Sequence, residues 1–139
     1  MSIRLNPYLS FRDSTREAMT FYQSVFGGEL TLSTFAEFQV SQDPAEQEKI
    51  MHSMLTTENG LVLMAADVPN SMEVPESSAS VSLSGEHEDD EPLRRYWDRL
   101  SGSGAVVEPL SVAPWGDAFG MCADKFGVRW MVNIAGPGA

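Results

Sequence analysis

The chain has 139 residues, 42% of them hydrophobic and 21% charged, with 20 Asp and Glu against 9 Lys and Arg for a formal net charge of −11. That length predicts one domain with a real core, and that charge repels phosphate backbones and anionic membranes, which argues against nucleic acid and membrane as partners. Cys122 is the only cysteine, which excludes an intrachain disulfide and a thiolate-rich metal site.

The opening "MSIRLNPYLSF" lacks the pattern of a signal peptide, and no apolar run reaches membrane-spanning length, so the expected location is the cytoplasm. Ile3 to Phe11 reads as a strand with Pro7 near its entry or at an edge. "RDSTREAMTFYQSVFGG" follows as a helix with Ala18, Phe21, Tyr22, Val25 and Phe26 on one face. Ser14 and Glu17 have capping-box spacing, and Gly27 fits a helix stop. "ELTLSTFAEF" reads as a strand. "DPAEQEK" predicts a short helix or ordered loop, capped by Asp43 with Pro44 at the first helical position. Strands around "IMHSMLTT" and "LVLMAAD" are joined at Glu58-Asn59-Gly60, where Asn-Gly is a hairpin signal.

The polar, proline-containing stretch "DVPNSMEVPESS" reads as a connector, after which the order restarts. "ASVSLSG" is a strand and "EDDEPLRRYWDRLSG" a helix with Leu93, Tyr96, Trp97 and Leu100 inward. Its acids Asp89, Asp90 and Glu91 sit at the positive end of the helix dipole as a solvated start, not a cation site. "AVVEPL" is the next strand, and "WGDAFGMCADKFGVRWMVNI" closes the chain as a hairpin around Asp124-Lys125-Phe126-Gly127.

Both halves therefore read β-α-β-β-β. The helices align with Phe21 on Tyr96, an offset of 75 (96 − 21), and the hairpins with Gly60 on Gly127, an offset of 67 (127 − 60). Met64 then falls on Met131, and His52 on Phe119. The expected organisation is one domain of two modules, about 1–67 and 79–139, with a connector over about 68–78.

Paired modules of this kind resemble the vicinal-oxygen-chelate superfamily, which includes glyoxalase I, extradiol dioxygenases and the bleomycin and fosfomycin resistance proteins. "NPYLSF", "EAMTFYQSVFGGEL", "MHSML", "LMAADVP" and "WGDAFGMCADKFGVRWMVN" are similar to its PhnB-like branch. The resemblance covers nearly the whole chain. It implies an α+β fold in which two βαβββ modules form an incomplete barrel around a cavity, with the helices outside. It also implies a homodimer.

Metal-dependent relatives place His or Glu at four positions, one on the first and one on the last strand of each module. The matching positions here are Asn6 or Pro7, then Met64, Ser80 and Met131. None is a carboxylate or imidazole, and thioethers do not suit Zn, Ni, Mn or Fe, so no metal and no cofactor is expected. His87 lies in the acidic loop "GEHEDD". His52 interrupts an apolar strand on the face of Met54 and Thr56, where it serves either as a candidate general base or ligand contact, or as a histidine satisfied by a neighbour.

On the last strand Arg129, Met131 and Asn133 point one way, with Trp130 toward the helices, and Trp115, Asp117 and Phe119 share a face. The expected cavity set is His52, Met64, Ser80, Trp115, Asp117, Phe119, Arg129 and Met131: adaptable apolar walls with sparse polar groups. An Arg129–Asp117 pair is the structural alternative for those two charges. The leading expectation is a metal-free protein that binds a small organic molecule, for which the acidic surface suits a cationic guest. The alternatives are a lyase, isomerase or dioxygenase with relocated metal ligands, built on His52 with Asp117 or Glu37, and a partner-binding module with a filled cavity. The one G-x-G, Gly102-Ser103-Gly104, follows a helix and reads as a helix stop, so it gives no support to a methyltransferase.

Overall fold

The structure, a computed structural model, describes residues 3–39 and 41–138. The first two residues of the opening stretch lie outside them. The chain divides into two compact units, Met1–Ser77 and Ser78–Ala139.

The first unit contains β1 (Tyr8–Phe11), α1 (Thr15–Phe26), β2 (Glu29–Thr34), α2 (Phe35–Phe38), a 3₁₀ turn (Pro44–Glu46), β3 (Ile50–Thr56) and β4 (Val62–Asp67). Its sheet has the order β1-β4-β3-β2, parallel between β1 and β4 and antiparallel elsewhere. The second unit repeats it with β5 (Val81–Gly85), α3 (Asp90–Ser103), β6 (Ala105–Val112), β7 (Ala118–Ala123) and β8 (Arg129–Ile134). A 3₁₀ turn at His87–Asp89 leads into α3. The order β5-β8-β7-β6 and its single parallel pair are the same. Met54 pairs with Met64 and Met121 with Met131, so both ladders keep the 67-residue offset (121 − 54 and 131 − 64).

Each sheet has one buried face. In the first unit Leu55, Leu63, Ala65 and Phe11 pack with Ala18, Met19, Tyr22 and Val25 of α1. In the second, Trp130, Val132, Ile134 and Cys122 pack with Leu93, Trp97 and Leu100 of α3. Period-two alternation on the strands against a 3.6-residue stripe on the helix gives two small cores of the same design. Gly60 and Gly127 take positive φ at the two hairpin turns, as their turn chemistry requires. No helix of the described residues is long and apolar enough to cross a membrane.

Three local expectations change. Ser14 starts α1 without a side-chain cap; the buried Asp67 carboxylate does that work, its Oδ1 accepting from Thr15 N–H at 3.0 Å while Oδ2 accepts from Ile50 N–H at 2.9 Å. One carboxylate at the end of β4 thus satisfies a helix start and a strand start together. The strand expected to run through Phe38 stops at Thr34, whose Oγ1 caps α2 by accepting from Glu37 N–H at 3.2 Å. The first strand begins only at Tyr8. Asp43 caps the turn at Pro44 as its spacing predicts, Oδ1 accepting from Ala45 N–H at 2.9 Å.

Candidate functional site

The faces turned away from the helices carry Met54, Met64, Met121 and Met131 with several polar groups. In the first unit one register row crosses Tyr8, Met64, Met54 and Thr31, with His52 opposite Ser33 one step along the same face. Tyr8 is exposed, and Met64, Met54 and His52 are half-buried. The Tyr8 hydroxyl lies 3.2 Å from His52 Nδ1 and the rings are 5.9 Å apart, so the phenol reaches across β4 to the imidazole. Partial desolvation of the hydroxyl pushes the Tyr8 pKa up from its ordinary value, and the protonated phenol can donate to Nδ1 or accept from Nδ1–H according to the imidazole tautomer.

The second unit presents the row Ser82, Met131, Met121 and Glu108, followed by Ser84, Asn133, Phe119 and Ser111. A cavity of about 540 Å³ opens along β6 and β7, with Glu108, Ser111, Trp115, Phe119 and Met121 among its walls. Trp115 is 64% exposed, and its ring stands 6.1 Å from that of Phe119 at an interplanar angle of 58°. The two aromatics form a corner of an open cavity in a size range suited to small ligands.

Residues 4–132 match the Glyoxalase/Bleomycin resistance protein/Dioxygenase superfamily. The chain belongs to that superfamily. Protein YjdN of Escherichia coli is 29% identical over 141 aligned positions, covering 94% of each chain. The solved structure of PA1353 from Pseudomonas aeruginosa is 33% identical, covers 98% of this chain and all of its own, and superposes with a TM-score of 0.79. A PhnB protein from Bacillus cereus is 27% identical over 96% of this chain and all of its own, with a TM-score of 0.72. The PhnB-like resemblance read in the sequence thus has solved structures on its side.

The residues at this superfamily member's metal-ligand places do not fit the metal. The parallel pairs set Tyr8 beside Met64 and Ser82 beside Met131. A phenol, an alcohol and two thioethers are not the imidazole and carboxylate donors that Zn, Ni, Mn or Fe take. Asn6, Pro7 and Ser80, the places that the family resemblance implies, lie just ahead of β1 and β5, with the Pro7 carbonyl accepting from Met64 N–H at 3.1 Å, and they supply no imidazole or carboxylate either. No three His, Cys, Asp or Glu side chains group to hold a metal ion among the described residues.

Of the expected cavity set, Trp115 and Phe119 line this cavity. Met131 stands next to the Met121 wall, while His52 and Met64 belong to the first unit's sheet. The Asp117–Arg129 pair weighed as the structural alternative is not among the ion pairs of the described residues. Asp117 accepts from Asn133 Nδ2 at 3.1 Å and from Gly136 N–H at 3.0 Å, and those two bonds hold its carboxyl below the usual range. Arg129 pairs in register with Ala123, at the far end of β8 from Asn133. Sequence reading passed over Tyr8, Glu108 and Met121. A charged residue inside "AVVEPL" was the available signal for Glu108.

Proposed function

We propose that this superfamily member binds a small organic molecule in the second unit's cavity and does so without the superfamily metal. The observation that supports this most is the chemistry of the walls: a Trp115–Phe119 corner and the Met121 thioether, with Glu108 and Ser111 as sparse polar groups. Aromatic and thioether surfaces adapt to a guest, and few polar groups orient it. The same proposal carries the homodimer and the cytoplasm expected from the sequence, which light scattering and cell fractionation check.

An enzyme with relocated ligands would centre on His52. Its Nδ1 faces Tyr8, and no set of three metal donors surrounds it among the described residues, so that reading has less support. A filled, partner-binding module is disfavoured by the open volume beside Trp115.

The test is a screen of small organic fragments by ligand-observed NMR, with tryptophan fluorescence as second readout. Trp97 and Trp130 are buried at 7% and 1% exposure, so a fluorescence change on binding reports on Trp115. Hits that lose affinity on Trp115→Ala support the proposal. A screen without hits, or hits indifferent to Trp115→Ala, sinks it.

A further inference from the structure

We infer that the guest is an organic cation, held with its charge at Glu108 and its apolar body in the Trp115–Phe119 corner. This rests on the small-molecule reading above and adds the ligand's class to it.

Among the described residues that line the cavity, Glu108 is the only charged one, with no Lys, Arg or His beside it in the walls. It occupies the row of Met121, next to the row of Phe119, so its side chain leaves the strand on the cavity face. The strand is irregular on both sides of it, with register shifts between Val106 and Glu108 and between Glu108 and Ser111. Bulges re-aim side chains, and this one has identifiable causes. Pro109 has no N–H for the ladder, and β6 is an edge strand where that loss is tolerated. Across the ladder Gly120 leaves room for the displaced backbone: a Cβ there would lie 2.9 Å from Leu110 Cα and 2.9 Å from Trp97 Cη2.

A carboxylate that shares one cavity with two aromatic rings repels anions and attracts ammonium groups, because the ring quadrupole and the carboxylate act in the same direction. The net charge of −11 raises the local concentration of cations, an effect that salt weakens. A neutral guest would use the aromatic corner and gain nothing from Glu108. The position of the Glu108 carboxylate therefore separates the two ligand classes.

The experiment compares 4-(trimethylammonio)benzyl alcohol with its neutral isostere, 4-tert-butylbenzyl alcohol, by ligand-observed NMR and Trp115 fluorescence. The two differ by one charge at constant shape. The ammonium compound is expected to bind at least about tenfold more tightly and to weaken as salt is added. Glu108→Gln should cost the ammonium compound about tenfold and leave the neutral one unchanged, while Trp115→Ala weakens both. Both variants change exposed side chains, and far-UV circular dichroism checks that they fold. Equal binding of the two compounds, or an ammonium affinity unmoved by Glu108→Gln, overturns the cation inference and leaves small-molecule binding standing. If neither compound binds and no fragment in the wider screen perturbs Trp115, both fall.

Discussion

Trp130 donates its indole N–H to Oδ2 of Asp124 at 2.8 Å, inside a hairpin where Trp130 is 1% and Asp124 4% exposed. The other carboxylate oxygen accepts from Phe126 N–H at 2.8 Å and Val128 N–H at 3.1 Å. One side chain therefore closes the β7–β8 turn and anchors the largest side chain of the core. Asp124→Ala leaves those donors without their carboxylate in a buried place, and the expected loss is about 3 kcal/mol. Urea unfolding with an unchanged m-value checks it. A loss below about 0.5 kcal/mol would mean that water or another acceptor replaces the carboxylate.

Cys122 pairs with Trp130 across the same hairpin and is 1% exposed. Burial first, and the Asp124 carboxylate second, push its thiol up to about 11. The thiol form is therefore the native one near neutrality, and a thiol is a poor nucleophile. Labelling with a disulfide reagent near pH 8 is expected to run about a hundredfold slower in the folded protein than in denaturant. Fast stoichiometric labelling of native protein would show instead that the hairpin opens locally.

What the sequence made legible follows from interaction range. Strand alternation, the helical stripes and the Asn59-Gly60 and Phe126-Gly127 turns are set by neighbours within a few residues, so both modules and the 67-residue offset were readable. Asp67 as the partner of Thr15 was not, because residues 52 apart meet there, and the nearer Ser14 supplied a complete local explanation. The stop of β2 at Thr34 lost to Phe35, whose buried ring and β propensity argue for strand while its packing favours a helical turn. At the site, Trp115 and Phe119 were legible as aromatics on one face. Glu108 was not, since its aim depends on a bulge made by Pro109 and by a glycine on another strand.

The contact between Tyr8 and His52 makes a spectroscopic prediction. If the phenol donates to Nδ1, the neutral imidazole carries its proton on Nε2, and if it accepts from Nδ1–H, on Nδ1, so the contact selects one tautomer. Long-range ¹H–¹⁵N spectra of the neutral ring are expected to show one predominant tautomer in the native chain and a different tautomer balance in Tyr8→Phe. Stability should fall by less than about 1 kcal/mol, because both side chains keep solvent access. Identical ring spectra in the two proteins would remove Tyr8 as a partner of His52.

Acid stability depends on two carboxylates that are bonded rather than ion-paired in the first instance. Glu46 accepts from Asn70 N–H at 2.6 Å and from the Ser41 hydroxyl at 2.7 Å. These bonds, with Lys49 and Arg12 nearby, hold its carboxyl below the usual range. Asp117 is held down by Asn133 and Gly136. A carboxyl whose folded pKa is depressed binds fewer protons folded than unfolded. Its contribution is therefore complete above the unfolded value, near pH 4, and is lost as pH falls through the lower folded value. Glu46→Gln and Asp117→Asn should be less stable than the native chain near neutrality. Below about pH 4 the gap should narrow, because the native carboxyls become neutral too. Urea midpoints measured across that range provide the check, and a gap that stays constant down to about pH 2 would separate these bonds from acid stability.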